Sequence, residues 1–353
     1  MMNQFKNKRV LVTGHTGFKG SWLSAILKYF FSAEVYGFSN KIPSQPSHFE
    51  LFSDDFKIDF RGDISNRYEI KDLIYEIRPR YIFHLAAQSL VNQSFEDPYS
   101  TFMANTCGTL NLLDAINNFQ EPITVVIVTS DKAYDNVEIS RGYRENDALG
   151  GKDPYSASKG AAELIIKGYS NSFFSSKDNI KLGIARAGNV IGGGDWSLDR
   201  ILPDAIRCWR EAKILEVRQP NSTRPWQHVM EPLNGYISLA RNLDSGNIAT
   251  GEAFNFGPKT DQSIQVNEFV EILKDQLEGL TSKSVFTDIL QKESKLLFLD
   301  SSKAKKLLRW QTVLSTNEAI ELSTDWYKNF YSVATPTKEL TLKQIDWYFN
   351  KLK

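Results

Sequence analysis

Arg9-Val-Leu-Val-Thr-Gly-His-Thr-Gly-Phe-Lys-Gly20 is a short apolar run that ends in glycines at 14, 17 and 20; Ser21-Trp-Leu-Ser-Ala-Ile-Leu-Lys-Tyr-Phe-Phe31 follows with helical periodicity. Glycines so spaced between a strand and a helix let backbone N–H groups approach a pyrophosphate at the helix N-terminus. The stretch therefore predicts a dinucleotide-binding turn, with Gly14, Thr16, Gly17, Phe18, Lys19 and Gly20 at the cofactor. Outward from it, strand-like segments at Glu34–Phe38, Phe56–Asp59, Tyr81–Ala87, Ile123–Thr129, Lys181–Arg186 and Ala253–Phe256 alternate with helical patterns at Asn66–Ile77, Tyr99–Phe119 and Pro154 to about Ser175. Such alternation predicts an α/β fold, a Rossmann-type doubly wound parallel sheet. Ligands of such sheets sit beyond the carboxyl ends of the strands.

After Arg186 the regularity weakens. Gly192-Gly-Gly-Asp-Trp196 and Arg218-Gln-Pro-Asn-Ser-Thr-Arg-Pro-Trp-Gln-His228 are loop-rich, basic and aromatic, as in a smaller lobe closing over a ligand. The expected division is 1–187 with 227–256 for the dinucleotide-binding domain, and 188–226 with 257–353 for a mixed α/β substrate-binding lobe. Ser301–Arg309 and Glu318–Tyr331 read as amphipathic helices.

With 353 residues the chain can bury a full core. Its 42 basic and 42 acidic residues balance, which argues against a nucleic-acid partner, since no net basic field drives counterion release. Cys107 and Cys208 stand too far apart for a disulfide framework, and the four histidines are too scattered for a metal site. His84 reads as a packed core histidine. The first residues lead straight into a strand, and no apolar stretch nears the roughly 20 residues that span a bilayer. A soluble cytoplasmic protein is the expectation.

The chemistry centres on two clusters. Ile123-Thr-Val-Val-Ile-Val-Thr129 stops at Ser130-Asp131-Lys132, which places a hydroxyl, a carboxylate and an amine at a strand tip. Tyr155-Ser-Ala-Ser-Lys159 opens a helix on which four-residue spacing puts tyrosine and lysine on one face. A phenol titrates near 10, so its use as a base near pH 7 takes about 4 kcal/mol of differential stabilisation. A neighbouring ammonium and a bound nicotinamide cation can supply that. Together the clusters suggest redox chemistry at a carbinol plus a further proton transfer.

For the cofactor, an acidic residue about 20 positions after the glycine turn normally holds the adenine ribose. Here the second strand ends Phe38-Ser39-Asn40-Lys41. Ser39 or Asn40 can hydrogen-bond the ribose and Lys41 can tolerate a 2′-phosphate, so NAD and NADP both stay open. Asp63 and Ile64, after the third strand, are expected near the adenine, with a plain turn aspartate as the rival reading. Leu85, Ala86 and Ala87 at the fourth strand's end, with Asn105 on the long helix, complete the expected cofactor surroundings.

VTGHTGFKGSWLS at 12–24, FHLAAQSLV at 83–91, TSDKAY at 129–134, GGKDPYSASKGAAEL at 150–164, ARAGNVIGGGDW at 185–196 and RPWQHVMEPLNGY at 224–236 carry a family resemblance. On these residues the chain resembles the extended short-chain dehydrogenase/reductases, and within them the nucleotide-sugar dehydratase branch. The resemblance implies an intramolecular redox dehydration through tightly held NAD, with CDP-glucose favoured among nucleotide sugars. Tyr155 would take the proton from the sugar 4-hydroxyl as hydride leaves carbon 4. Lys159 would bind the nicotinamide ribose, Ser130 would bond the 4-oxygen, and Asp131 would protonate the departing 6-hydroxyl. Many related dehydratases carry glutamate at the position of Lys132. The lysine is left with two roles, base at carbon 5 or charge against the enolate. On the substrate side the resemblance points to Asn189 and Arg224 near the phosphates, with Arg200, Arg218 and His228 behind them and Gln88 and Ser89 lining the sugar pocket. It also implies a homodimer paired through a four-helix bundle, and a deoxysugar for a cell-surface polysaccharide. A nucleotide-sugar 4-epimerase or plain dehydrogenase is the rival enzyme, and a dinucleotide-sensing regulator the rival outside enzymes.

Overall fold

Seven strands form one sheet: β1 (Arg9–Thr13), β2 (Glu34–Ser39), β3 (Ile58–Arg61), β4 (Tyr81–His84), β5 (Ile123–Val128), β6 (Ile180–Ala187) and β7 (Glu252–Phe256). Their order is β7-β6-β5-β4-β1-β2-β3, and every neighbouring pair is parallel. The computed structural model describes residues 4–259, 263–285, 296–332 and 335–352. A parallel sheet covered on both faces needs strands that are apolar throughout, and all six residues of β5 are buried. Alternation then sorts them. Val126 and Val128 enter one core with Val10, Val12 and Phe83, while Val125 and Ile127 enter the other with Leu11 and Ile82.

The helices that position the site are α1 (Phe18–Ala25), α2 (Arg67–Ile77), α3 (Gly108–Asn117), α4 (Pro154–Tyr169), α5 (Met230–Asp244), α6 (Thr316–Ser332) and α7 (Thr337–Lys351). Three of the expected long helices contain π-helical stretches, at Ile26–Phe30, Met103–Cys107 and Ser170–Phe174. The third strand starts at Ile58, two residues later than the sequence pattern suggests. The Phe56 ring is used instead against His15, with centroids 4.8 Å apart.

Trp326 on α6 and Tyr348 on α7 share one core with Trp22, Val12 and Met230. At their junction Glu231 on α5 is fully buried. Its carboxylate accepts the Val313 and Leu314 N–H groups at 2.9 and 2.8 Å and the Tyr348 hydroxyl at 2.8 Å. Among the described residues no helix is long and apolar enough to cross a membrane.

Candidate active site

The order of the sheet reverses between β1 and β4, and the glycine turn lies at that switch point. Gly14 has φ +73°, and a Cβ on it would stand 2.7 Å from the Ala86 nitrogen, while one on Gly20 would run into the Gly14 carbonyl. Only glycines let this turn close against the Leu85–Ala87 segment. That segment is tied to β1: Leu85 N–H donates to the Thr13 carbonyl at 3.0 Å and Ala86 N–H to Thr13 Oγ1 at 3.2 Å. The cradle fits a pyrophosphate at the start of α1.

Around it, Thr16 Oγ1 lies 2.7 Å from Ser39 Oγ and donates to the Lys41 carbonyl at 2.7 Å, so Ser39 is buried against the turn and Asn40 is exposed. Phe18 packs where a Gly192 side chain would stand. Asp63 is exposed and accepts both the N–H and the hydroxyl of Ser65 at 2.9 Å, the geometry of a turn aspartate. Ile64 is buried against Gly108. Asn105 is engaged internally, taking the Gln88 N–H at 2.8 Å and donating to the Gln88 carbonyl at 3.0 Å and to Ser158 Oγ at 2.9 Å.

β5 delivers Ser130, Asp131 and Lys132 into a tight turn over Asp131–Ala133. Opposite stands α4. Asp153 caps it by accepting the Ser156 N–H at 2.9 Å, and Pro154 occupies the first turn. A Cβ on Gly160 would lie 3.1 Å from the Gly150 carbonyl and 3.4 Å from that of Ala133, so glycine brings the helix close to the strand tip. Ser130 Oγ donates to Asp131 Oδ1 at 2.9 Å and accepts the Lys132 N–H at 3.2 Å, and it stands near enough to the Tyr155 phenol to lower its proton affinity. Ser130, Asp131, Tyr155 and Lys159 are all buried, and Lys132 is half-buried.

Burial governs protonation here. It pushes the Tyr155 phenol up to about 12, against the Ser130 hydroxyl and the Arg200 charge, which pull it down. It pushes the Lys159 ammonium down to about 8, opposed by Glu163. Asp131 is raised by the same desolvation, with Lys132, Ser130 and Lys19 pulling the other way. Lys19, half-buried, is lowered to about 8 by burial and by the Arg200 and Lys159 charges. The fold thus sets Lys132 and Lys19 beside Asp131, with Arg200 and Lys159 acting on Lys19 in turn, an arrangement suited to anionic ligands.

The other substrate-side candidates fall into place unevenly. Arg200 is held by Asp195 at 2.8 Å. Asn189 is exposed, and its carbonyl accepts the Gln227 N–H at 3.3 Å. Arg224 is half-buried and donates to the Thr223 carbonyl at 3.0 Å. Arg218 is exposed and paired with Asp199. Gln88 is bound up locally, donating to the Leu90 carbonyl and Thr101 Oγ1, while Ser89 is exposed. His228 is fully buried with its ring edge-on to Trp22 at 5.9 Å, the surroundings of a core residue. His84 is likewise buried, bonded to Thr13 Oγ1 at 2.7 Å.

Two contributors escaped the sequence reading. A Cβ on Gly188 would stand 3.0 Å from Asp131 Oδ2, so glycine lets the backbone cover that carboxylate. Asp195 orients Arg200 and is itself pinned, its N–H donating to the Tyr327 hydroxyl at 2.9 Å. Both lie within ARAGNVIGGGDW, but nothing local to that segment says what its glycines face.

With this geometry in hand, the comparisons with known proteins agree on one lineage. The model of the family described as GDP-mannose 4,6 dehydratase matches residues 11–322. The CDP-glucose 4,6-dehydratase of Salmonella typhimurium is 40% identical over 331 residues, 92% of each chain. Among solved structures, dTDP-glucose 4,6-dehydratase from Bacillus anthracis in complex with NAD superposes with a TM-score of 0.77 at 21% identity, covering 94% of this chain and 99% of that one. The UDP-glucose 4-epimerase of Thermotoga maritima gives 0.79 at 19%, covering 92% and 99%. At such identities the structures share the fold, and dehydratases and epimerases share it alike.

Proposed function

The chain belongs to the GDP-mannose 4,6 dehydratase family, and from that premise we propose that it dehydrates CDP-glucose to CDP-4-keto-6-deoxyglucose and water. The observation that carries this reading is the buried Asp131, bonded to Ser130, whose hydroxyl also meets Tyr155, with Lys132 alongside. An epimerase needs only the tyrosine and lysine of α4. A dehydratase also needs an acid that keeps its proton until the 6-hydroxyl leaves, and burial favours that protonated form of Asp131. The 40% identity to a CDP-glucose enzyme supports the cytidine nucleotide.

NAD, when bound in the glycine cradle, supplies a hydride acceptor for carbon 4 and the donor that returns hydride to carbon 6. Lys159 holds the nicotinamide ribose and, with Arg200 and the positive nicotinamide ring, brings Tyr155 down into working range. Tyr155 then takes the 4-hydroxyl proton while Ser130 steadies the 4-oxygen. Lys132 removes the proton from carbon 5, which the new ketone has made acidic, and later returns one. Asp131 protonates the 6-hydroxyl as water departs. The proton gained by Tyr155 equals the one lost by Asp131, and Ser130, bonded to Asp131 and close to Tyr155, bridges them. Arg200 and Arg224 bind the pyrophosphate from the lobe of 188–226 and 257–353.

A cytoplasmic homodimer completes the proposal. Phe95, Tyr99, Phe102, Leu164 and Phe173 are exposed on the helices around 91–102 and on α4 with its continuation, an apolar surface suited to a second copy. Leu164→Glu is expected to give a monomer by light scattering.

Mass spectrometry of the purified protein with CDP-glucose, dTDP-glucose, GDP-mannose and UDP-N-acetylglucosamine tests the reading without added reductant. Loss of one water from CDP-glucose alone is expected. Loss from another sugar nucleotide overturns the substrate, and an unchanged mass with a new epimer peak overturns the dehydration.

A further inference from the structure

Behind the reaction centre lies an ion pair that the steps above do not use. Glu163, four residues beyond Lys159 on α4, and Arg186, near the end of β6, are both almost fully buried. Arg186 Nε donates to Glu163 Oε1 at 2.7 Å and Oε2 at 3.0 Å, and Nη2 closes a second contact with Oε2. Thr129 Oγ1 donates to Glu163 Oε1 at 2.6 Å. From its other nitrogen Arg186 donates to the Tyr134 hydroxyl at 2.6 Å and to the Glu145 carbonyl at 3.1 Å. Tyr134 in turn donates to Asn255 Oδ1 at 2.8 Å, and Asn255 donates to the Tyr143 carbonyl at 2.8 Å.

The placement of these contacts is what gives them meaning. Thr129 and Tyr134 bracket Ser130, Asp131 and Lys132, and Glu163 lies one and two helical turns beyond Lys159 and Tyr155. One buried pair therefore ties the strand tip to the helix that must work against it, and carries the tie on to β7 and the 143–145 loop. Two charges buried together cost desolvation that a pair of apolar side chains would not. An ion pair at this spot fits a function of orientation better than one of stability.

We propose that Glu163 and Arg186 form a positioning pair for the reaction proposed above: they hold the strand tip that carries Ser130 against the helix that carries Tyr155, and they set the charge one helical turn beyond Lys159. The proposal rests on that reading for its kinetic half and on the protein alone for the rest. Among the described residues the titratable and charged groups around Lys159 are Tyr155 and Glu163 on α4, Arg186 on β6 behind Glu163, Lys19 on α1 and His84 on β4. Burial holds His84 near 3, so it is neutral, and Lys19 opposes the Lys159 charge. Glu163 is the group in this set that favours the ammonium.

The test uses Glu163→Gln, with Glu163→Asp as the conservative partner and a Glu163→Gln/Arg186→Gln double variant in case the lone arginine prevents folding. Lys159 is titrated by NMR in isotopically labelled protein, assigned from Lys159→Arg, and CDP-glucose turnover is followed across pH. Removing the carboxylate is expected to move the Lys159 titration to lower pH in Glu163→Gln, by less in the double variant because the opposing Arg186 charge is removed with it, and Glu163→Asp is expected to restore most of it. The alkaline fall in turnover should move the same way, with kcat down at least tenfold and KM within about threefold. An unmoved Lys159 titration, or a turnover loss that only tracks the folded fraction, overturns the proposal. A shifted titration in a protein that dehydrates no sugar nucleotide sinks the dehydratase reading and leaves the pair's electrostatic role standing.

Discussion

On the β5–α4 wall of the site Ser130, Asp131, Tyr155 and Lys159 are 4–8% exposed, whereas on the wall from 188 to 228 Asn189 and Arg218 are exposed and Arg200 and Arg224 half-buried. The first wall satisfies its polar groups internally, through Ser130, Thr129 and the Glu163–Arg186 pair. The second pairs Arg200 and Arg218 with Asp195 and Asp199 near the rim. The contrast separates two jobs. Proton-transfer groups need fixed distances and shifted proton affinities, which only burial and a rigid hydrogen-bonded setting provide. Groups that greet phosphates keep their charge and stay reachable, whereas an ion pair exposed on both sides, as Arg218–Asp199 is, is worth only about 0–1 kcal/mol.

Substitutions on the two walls should therefore differ by orders of magnitude. Tyr155→Phe is expected to abolish the first oxidation, a loss on the order of 10²–10⁴ in rate for a proton-transfer group. Reduced-nicotinamide absorbance after rapid mixing reads it, and a fast oxidation would remove Tyr155 from its role. Lys132→Met should leave oxidation partly intact while stopping exchange of the carbon 5 proton with solvent deuterium. Full dehydration by that variant would show that the lysine is not the base. Arg218→Ala, on the exposed wall, should change KM for CDP-glucose by no more than about threefold, as expected of a screened surface pair. A tenfold rise in KM would place Arg218 at the substrate and not in a surface pair.

Glu231 extends the comparison to a buried carboxylate with no cation at hydrogen-bonding distance among the described residues. Desolvation pushes it up to about 7, against the Val313 and Leu314 N–H groups and Tyr348. A carboxyl whose folded value is raised binds its proton more tightly folded than unfolded, so its contribution to stability is full below the unfolded value near 4.5 and declines as pH rises to about 7. The decline amounts to about 3 kcal/mol at most. Glu231→Gln keeps an acceptor for both N–H groups and cannot ionise. Urea unfolding should show the variant gaining on the parent between about pH 5 and pH 8, and parallel pH profiles would refute the linkage.

Much of this was legible in the chain. The apolar runs and glycine spacing foretold the parallel sheet and a ligand site at its carboxyl edge, and β5 through Lys132 was read at its true place. The misses have physical causes. Phe56 looks like a strand residue by composition, but its ring is claimed by His15 and Phe49. The π-helical stretches leave no periodic mark distinct from an α-helix. His228 sits in a basic, aromatic segment that reads as ligand-facing, yet Trp22, more than 200 positions away, makes its surroundings a core.

What the sequence determined by itself is the set of reactive groups, the strand and helix that carry them, and the turn that meets a pyrophosphate. These follow from local periodicity and from glycine's conformational freedom. The tertiary structure alone decided which cations converge on Asp131, that Gly188 covers its second oxygen, that Glu163 and Arg186 stand behind the centre, and how tightly each group holds its proton. Those properties depend on desolvation and on charges brought together across the fold, and no window of neighbouring residues contains them.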